Sequence, residues 1–276
     1  MRLLNVFILL SVPYVLLGCS TGKTEFFTFQ PSNARSGSYG KTDLSRDWNN
    51  PKWENGITQG LVSIVEVNDP NRSRALKVLF PKGSYSNSSI PGKIQWVLDF
   101  AKGLNEVYFA YDIKFDSNFN FVKGGKLHGL AGGKRNTGGK KPDGLDGWSS
   151  RVIWLSQGKL GQYVYNPDQP TNYGQIFKYT ANGEDIVAKQ GKWYRIINRV
   201  VMNTPRKHDG IVQAWVNGEL VLDIRDLRFR DTDAMSIDSF LFSTFFGGDD
   251  ETWAAAKDES IYFDNFLIST SPLAHP

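Results

Sequence analysis

Lys126, Ser149, Arg151, Tyr163 and Tyr165 lie in one stretch, Lys123 to Tyr165, which opens with a run of glycines. Cations beside phenols suit proton chemistry on a carboxylate-bearing substrate. In a 4-linked uronic acid, the proton on C5 is weakly acidic, because its loss builds an enolate-like dianion on the neighbouring carboxylate. Arg151 or Lys126 against that carboxylate would offset the charge. A base must then take the C5 proton and an acid must protonate the departing O4, which together make a β-elimination. A phenol titrates near ~10 and a nearby cation lowers that value, so Tyr163 and Tyr165 are the expected base and acid. No metal or other cofactor is expected, because His128, His208 and His275 have no metal-ligand spacing.

Each residue also has an ordinary explanation: an aromatic ladder for the tyrosines, a sheet-face ion pair for Arg151, a solvated loop cation for Lys126. Local charge argues for more. Residues 121–160 hold eight Lys/Arg against Asp143 and Asp146, a net +6 in a chain of +4, which leaves −2 for the remainder. Such a field attracts anionic ligands. The same modest overall charge does not point to nucleic acid. A glycoside hydrolase needs two carboxylates flanking the bond, and Asp143 and Asp146, three apart in a loop, make a poor pair.

Strands must position these groups. Residues 149–155 and 161–165 read as a hairpin joined by Ser156-Gln157-Gly158, with Gly158 left-handed. That three-residue loop puts Arg151 opposite Tyr163 and Ser149 opposite Tyr165, all on one face. A two-residue loop would send the tyrosines to the other face. Lys126 sits in the Gly-rich segment, read as a loop. Elsewhere Val107, Phe109, Tyr111 and Ile113 alternate with polar or smaller neighbours, and 193–201, 211–216, 239–246 and 261–269 carry strand composition. Asn217-Gly218 marks a two-residue hairpin turn. Helices are few: two turns over 251–257 and one over 184–190. Many short strands with turn signals predict an all-β chain, a β-sandwich or jelly roll of antiparallel sheets with few short helices. The aromatics of 244–250 either pack in the core, the expected place, or stack on sugars.

The 276 residues suffice for one domain with a real core. Residues 1–18 read as a lipoprotein signal peptide: Arg2, an apolar run too short to span a bilayer, then Leu16-Leu17-Gly18-Cys19. Cys19, the sole cysteine, is the expected lipidation site, giving a membrane anchor without a transmembrane helix. Ser20 follows it, which suggests the outer membrane of a bacterial cell envelope. Residues 19–40 read as a tether and 41–276 as a single, monomeric domain.

Phe119-Asn120-Phe121-Val122-Lys123-Gly124-Gly125-Lys126-Leu127-His128-Gly129-Leu130, Trp148-Ser149-Ser150-Arg151 and Tyr163-Val164-Tyr165 together resemble the family 14 polysaccharide lyases, which include alginate lyases. Gly191-Lys192-Trp193-Tyr194, Trp215-Val216-Asn217-Gly218, Phe245-Phe246-Gly247-Gly248 and 261–266 agree, so the resemblance spans roughly residues 90–270. It implies a jelly roll with a cleft on its concave face, an anionic polysaccharide as substrate, and roles for Lys126, Ser149, Arg151, Tyr163 and Tyr165 in catalysis and binding. Lys123, His128 and Gln162 are further substrate-binding candidates. The family often has proline at the place of His128, an imidazole that is either a second base or carboxylate partner or a solvent-facing loop residue. The family 20 glucuronan lyases are similar in fold, so alginate or glucuronan is the expected substrate. The competing reading is a non-catalytic surface lipoprotein that binds anionic polysaccharide.

Overall fold

The computed structural model describes residues 25–274. The expected signal peptide and Cys19 lie outside the described residues. Among the described residues, two large antiparallel sheets face each other. The nine-stranded sheet runs, in spatial order, β16 (Glu219–Leu227), β15 (Gly210–Val216), β14 (Trp193–Val201), β7 (Glu106–Phe115), β18 (Glu259–Ser269), β5 (Arg72–Phe80), β4 (Val62–Asp69) and β2 (Gly37–Ser38), with β1 (Glu25–Phe29) also on β18. The seven-stranded sheet runs β11 (Gln175–Lys178), β10 (Leu160–Tyr165), β9 (Gly147–Leu155), β8 (Gly124–Gly133), β17 (Ile237–Phe246), β6 (Ile94–Leu104) and β3 (Glu54–Asn55). A small ribbon pairs β12 (Thr180–Ala181) with β13 (Glu184–Asp185). This is the expected jelly-roll sandwich.

Period-2 alternation builds its core. Val107, Phe109, Tyr111 and Ile113 of β7 all turn inward and are fully buried. Between paired strands β6 and β17, Trp96 stacks on Phe242 with ring centroids 3.7 Å apart, and Trp48 packs edge-on against Phe242 of that sheet and Phe266 of the nine-stranded sheet. Asn217 and Gly218 take φ of 50° and 85°, the two-residue turn that their sequence demands.

Three local expectations change. The stretch read as a tether already enters the fold at Glu25, because β1 pairs with β18 and Phe29 reaches the core. Residues 184–190 form no helix: the amides of Ile186 and Ala188 donate to Tyr179 and Gly158 carbonyls on neighbouring chain instead. Residues 251–257 keep one 3₁₀ turn, Glu251–Trp253, capped by the Asp250 carboxylate accepting from Thr252 N. A helix the sequence reading missed, α1 (Lys41–Asp47), begins where Gly40 N donates to Asp43 Oδ2 at 3.0 Å.

The outer face of the nine-stranded sheet carries a buried charge cluster. Asp112 accepts from Arg72 at 2.9 Å, Arg195 at 3.1 Å and Asn265 at 2.7 Å. Removing one member of such a cluster strands the others in low dielectric. Asp112→Ala is therefore expected to cost ~3 kcal/mol in urea unfolding with an unchanged m value; a loss under ~1 kcal/mol would show that solvent screens the cluster.

Candidate active site

The β9–β10 hairpin has the expected register. Tyr163 pairs with Arg151 and Tyr165 with Ser149. Gln157 and Gly158 take φ of 64° and 78°, and Leu155 N donates to Lys159 O at 2.7 Å, so the loop is the three residues 156–158. Tyr163, Tyr165 and Ile153 form one cluster on the outer face of the seven-stranded sheet, the tyrosine rings 5.3 Å apart and perpendicular.

Lys126 reaches this face from a strand, not the expected loop. The glycines of β8 permit close strand approach: a Cβ on Gly125 would lie 2.1 Å from the Trp154 ring, and one on Gly129 would lie 2.0 Å from Ser150 O. Lys126 pairs with Ile153 and Gly129 with Arg151, so the ladder slips by one residue between them. The Lys126 ammonium then stands 4.0 Å from the centroid of the Tyr163 ring.

Burial sets the electrostatics. Desolvation, helped by the positive charge of Arg151, lowers the Lys126 pKa to about 7, so about half of the amines are neutral at that pH. Arg151 is 3% exposed, and its Nε has no hydrogen-bond partner among the described residues. Burial pulls its pKa down too, while Tyr165 and Tyr163 oppose that. The expectation that cations lower the phenol values is corrected for Tyr163. Burial first, then the hydrogen bond to Tyr165, push its pKa up, and Arg151 recovers only part of the change. A buried phenolate costs more in desolvation than one neighbouring guanidinium returns. The Tyr165 hydroxyl accepts from Gly139 N at 3.1 Å, which ties the basic 134–146 loop over the site.

The remaining candidates separate. Ser149 is fully buried and its hydroxyl donates to Asn136 O at 2.7 Å, which anchors that same loop rather than offering a free hydroxyl. Gln162 points the opposite way from Tyr163, as period-2 alternation requires. It donates to Ser150 Oγ at 2.8 Å and accepts from Tyr179 in the interior, so it is removed from the substrate face. His128 is fully buried between the sheets, against Phe242 and Phe263 at 4.0 and 4.5 Å, and is neither a solvent-facing loop residue nor on the face of Lys126. Lys123 is exposed at the strand end and contacts Thr252 and the Trp253 ring.

The sequence reading missed the floor beyond Lys126. Phe246 packs in the core as expected, but Phe245 turns outward beside Lys126, with Lys93 5.8 Å from its ring centroid. Gln95 donates to Ser243 Oγ at 2.8 Å one rung further on. Alternation in 239–246 could have separated Phe245 from Phe246, whereas Lys93 joins them only through β6–β17 pairing. A groove of about 960 Å³ on the other sheet, beside Arg72, Trp193 and Arg195, offers no comparable chemistry: both arginines are bound to Asp112. Among the described residues no group of three or more His, Cys, Asp or Glu is placed to hold a metal.

Solved structures with the same sandwich are alginate lyases. The alginate lyase Aly36B superposes with TM-score 0.76 at 27% identity, covering 92% of this chain and 99% of that one. A variant of Aly36B with a lysine and a tyrosine changed to alanine has been solved with an alginate tetrasaccharide. The PL-14 alginate lyase of Aplysia kurodai matches at 26% identity and TM-score 0.76, covering 90% of this chain and all of that one. The endo-β-1,4-glucuronan lyase of the fungus Trichoderma reesei, at 14% identity and TM-score 0.55 over 81% of this chain and 92% of its own, shares the fold alone. A search of curated proteins finds no match. The protein is thus a polysaccharide lyase. The polysaccharide lyase 14 family model matches residues 68–266, and the chain belongs to that family.

Proposed function

We propose that this chain cleaves alginate by β-elimination, with Lys126 as the base. One observation carries the reading: an amine held near pKa 7, on the same face as a guanidinium and two phenols. A base works best with a pKa near the operating pH, and Lys126 meets that condition whereas Tyr163 does not. The neutral Lys126 amine takes the C5 proton. The C4–O4 bond breaks, a C4–C5 double bond forms, and the Tyr163 hydroxyl protonates O4. Arg151 holds the carboxylate and offsets the charge that accumulates on it. Tyr165 receives the Tyr163 hydrogen bond and supports its return to the protonated state. This ordering revises the sequence expectation, in which the phenols supplied both base and acid and Lys126 only neutralised charge.

The likeness to alginate lyases supports alginate over other polyuronates, and the alginate-bound lysine and tyrosine variant of Aly36B accords with a lysine–tyrosine pair at the substrate. Lipidation at Cys19 would hold the enzyme on the cell envelope, where such polymers are met.

Incubation with alginate, polymannuronate, polyguluronate and glucuronan tests the reading, with the ultraviolet absorbance of the unsaturated uronate as readout. Absorbance should rise with alginate. No rise with any polyuronate, for a folded protein, would falsify it.

A further inference from the structure

His128 lies where the seven-stranded sheet loses its pairing on both sides. Towards β9, Leu127 and His128 stand against Val152 alone, between the pairs Lys126–Ile153 and Gly129–Arg151. Towards β17, the same two residues stand against three, Phe242 to Thr244, between the pairs with Phe245 and Leu241. An irregularity of this kind leaves backbone groups without their ladder partners, and a buried orphan amide is costly. One of them is accounted for: Ser243 N donates to His128 Nδ1 at 3.1 Å. The imidazole sits where a strand carbonyl would ordinarily accept.

The slip has a consequence for the reacting face. In an unbroken strand, residues 126, 128 and 130 share one side. Here Leu127, His128 and Leu130 all face the core, while Lys126 and Gly129 lie on the outer face against Ile153 and Arg151. The bulge therefore reconciles an outward Lys126 with an inward Leu130, and its stability decides where the amine stands relative to Arg151 and Tyr163.

We propose that His128 is a positioning residue, whose Nδ1 substitutes for the missing strand carbonyl and fixes the bulge that presents Lys126 to the substrate. This rests on the reading of Lys126 as the base. Nδ1 as acceptor places the ring proton on Nε2, which has no partner among the described residues. Burial drives the imidazole pKa well below its ordinary value, so Nδ1 keeps its lone pair at acid pH as well. The groups that face the Lys126 amine are Arg151 on β9 and Tyr163 on β10, with Phe245 beside it on β17.

The test compares His128→Asn with His128→Phe in the full chain. Asparagine puts Oδ1 at the place of Nδ1 and keeps an acceptor, whereas phenylalanine fills the volume without one. His128→Asn should retain kcat on alginate within ~10-fold and keep the acid limb of kcat/KM. His128→Phe should lose ~10²-fold in kcat with little change in KM, the size of effect that a 1 Å misplacement produces. Its acid limb should move to higher pH as the lysine becomes wetter. A folded His128→Phe with wild-type kcat and acid limb would overturn the proposal, and so would a folded His128→Asn as impaired as His128→Phe. Should His128→Phe not fold, amide exchange on the wild-type protein decides: Ser243 N–H should be protected like its strand neighbours, and free exchange there contradicts the proposal. That last measurement does not depend on activity. Failure of Lys126 as base would show separately, as an active Lys126→Met variant with Ser243 still protected.

Discussion

Lys126→Met is expected to lower kcat on alginate by ~10²–10⁴-fold, the usual range for loss of a positioned base. Methionine keeps an unbranched chain under the Tyr163 ring but cannot accept a proton. The variant should not be less stable than the parent. In the wild type the amine has a folded pKa of about 7 against an ordinary 10.5, so the unfolded chain binds more protons between those values. Wild-type stability therefore rises with pH across that window. The stability gained by Lys126→Met should be fully present below about pH 7 and fade as the pH approaches the ordinary lysine range. Thermal melts at pH 6 and pH 9 measure this difference, and kinetics on the same samples measure the rate. A variant that kept activity within a few-fold would remove Lys126 from the reaction, whatever its stability.

Tyr163→Phe should produce a loss of similar size, ~10²–10⁴-fold in kcat, with alginate oligosaccharide binding retained. The ring stays, so the contact with the Lys126 amine, 4.0 Å from its centroid, is preserved. Only the hydroxyl goes, and with it the hydrogen bond to Tyr165 and, in the proposed mechanism, the proton for O4. Because burial raises the Tyr163 pKa, the wild-type phenol remains an acid well into the alkaline range and its loss should be felt at every working pH. Calorimetric titration with an alginate oligosaccharide separates the effects: weakened binding with normal kcat would make Tyr163 a binding residue instead.

What could be read from the sequence was local. The hairpin register followed from one three-residue loop and strict alternation, and both are properties of residues 149–165 alone. The same alternation, applied one residue over, would have turned Gln162 inward to Ser150 and Tyr179. The course of β8 could not be read in this way. Its glycines resemble turn punctuation until Trp154 and Ser150 are seen pressed against them, and its bulge exists only in relation to β9 and β17. His128 was misplaced for that reason. The opposite pKa displacements of Lys126 and Tyr163, on which the proposed exchange of roles rests, were hidden as well, since side-chain types show which groups can titrate but not how much water each one loses.

The most direct measurement is the pH dependence of kcat/KM on alginate for the wild-type enzyme. A neutral Lys126 acting as base gives a rate that is low in acid, half-maximal at about pH 7, and flat through the range of an ordinary phenol, because Tyr163 holds its proton there. A rate that climbs only near the ordinary lysine value of 10.5, or one that falls as the pH rises through 7, would contradict a desolvated Lys126 as the base.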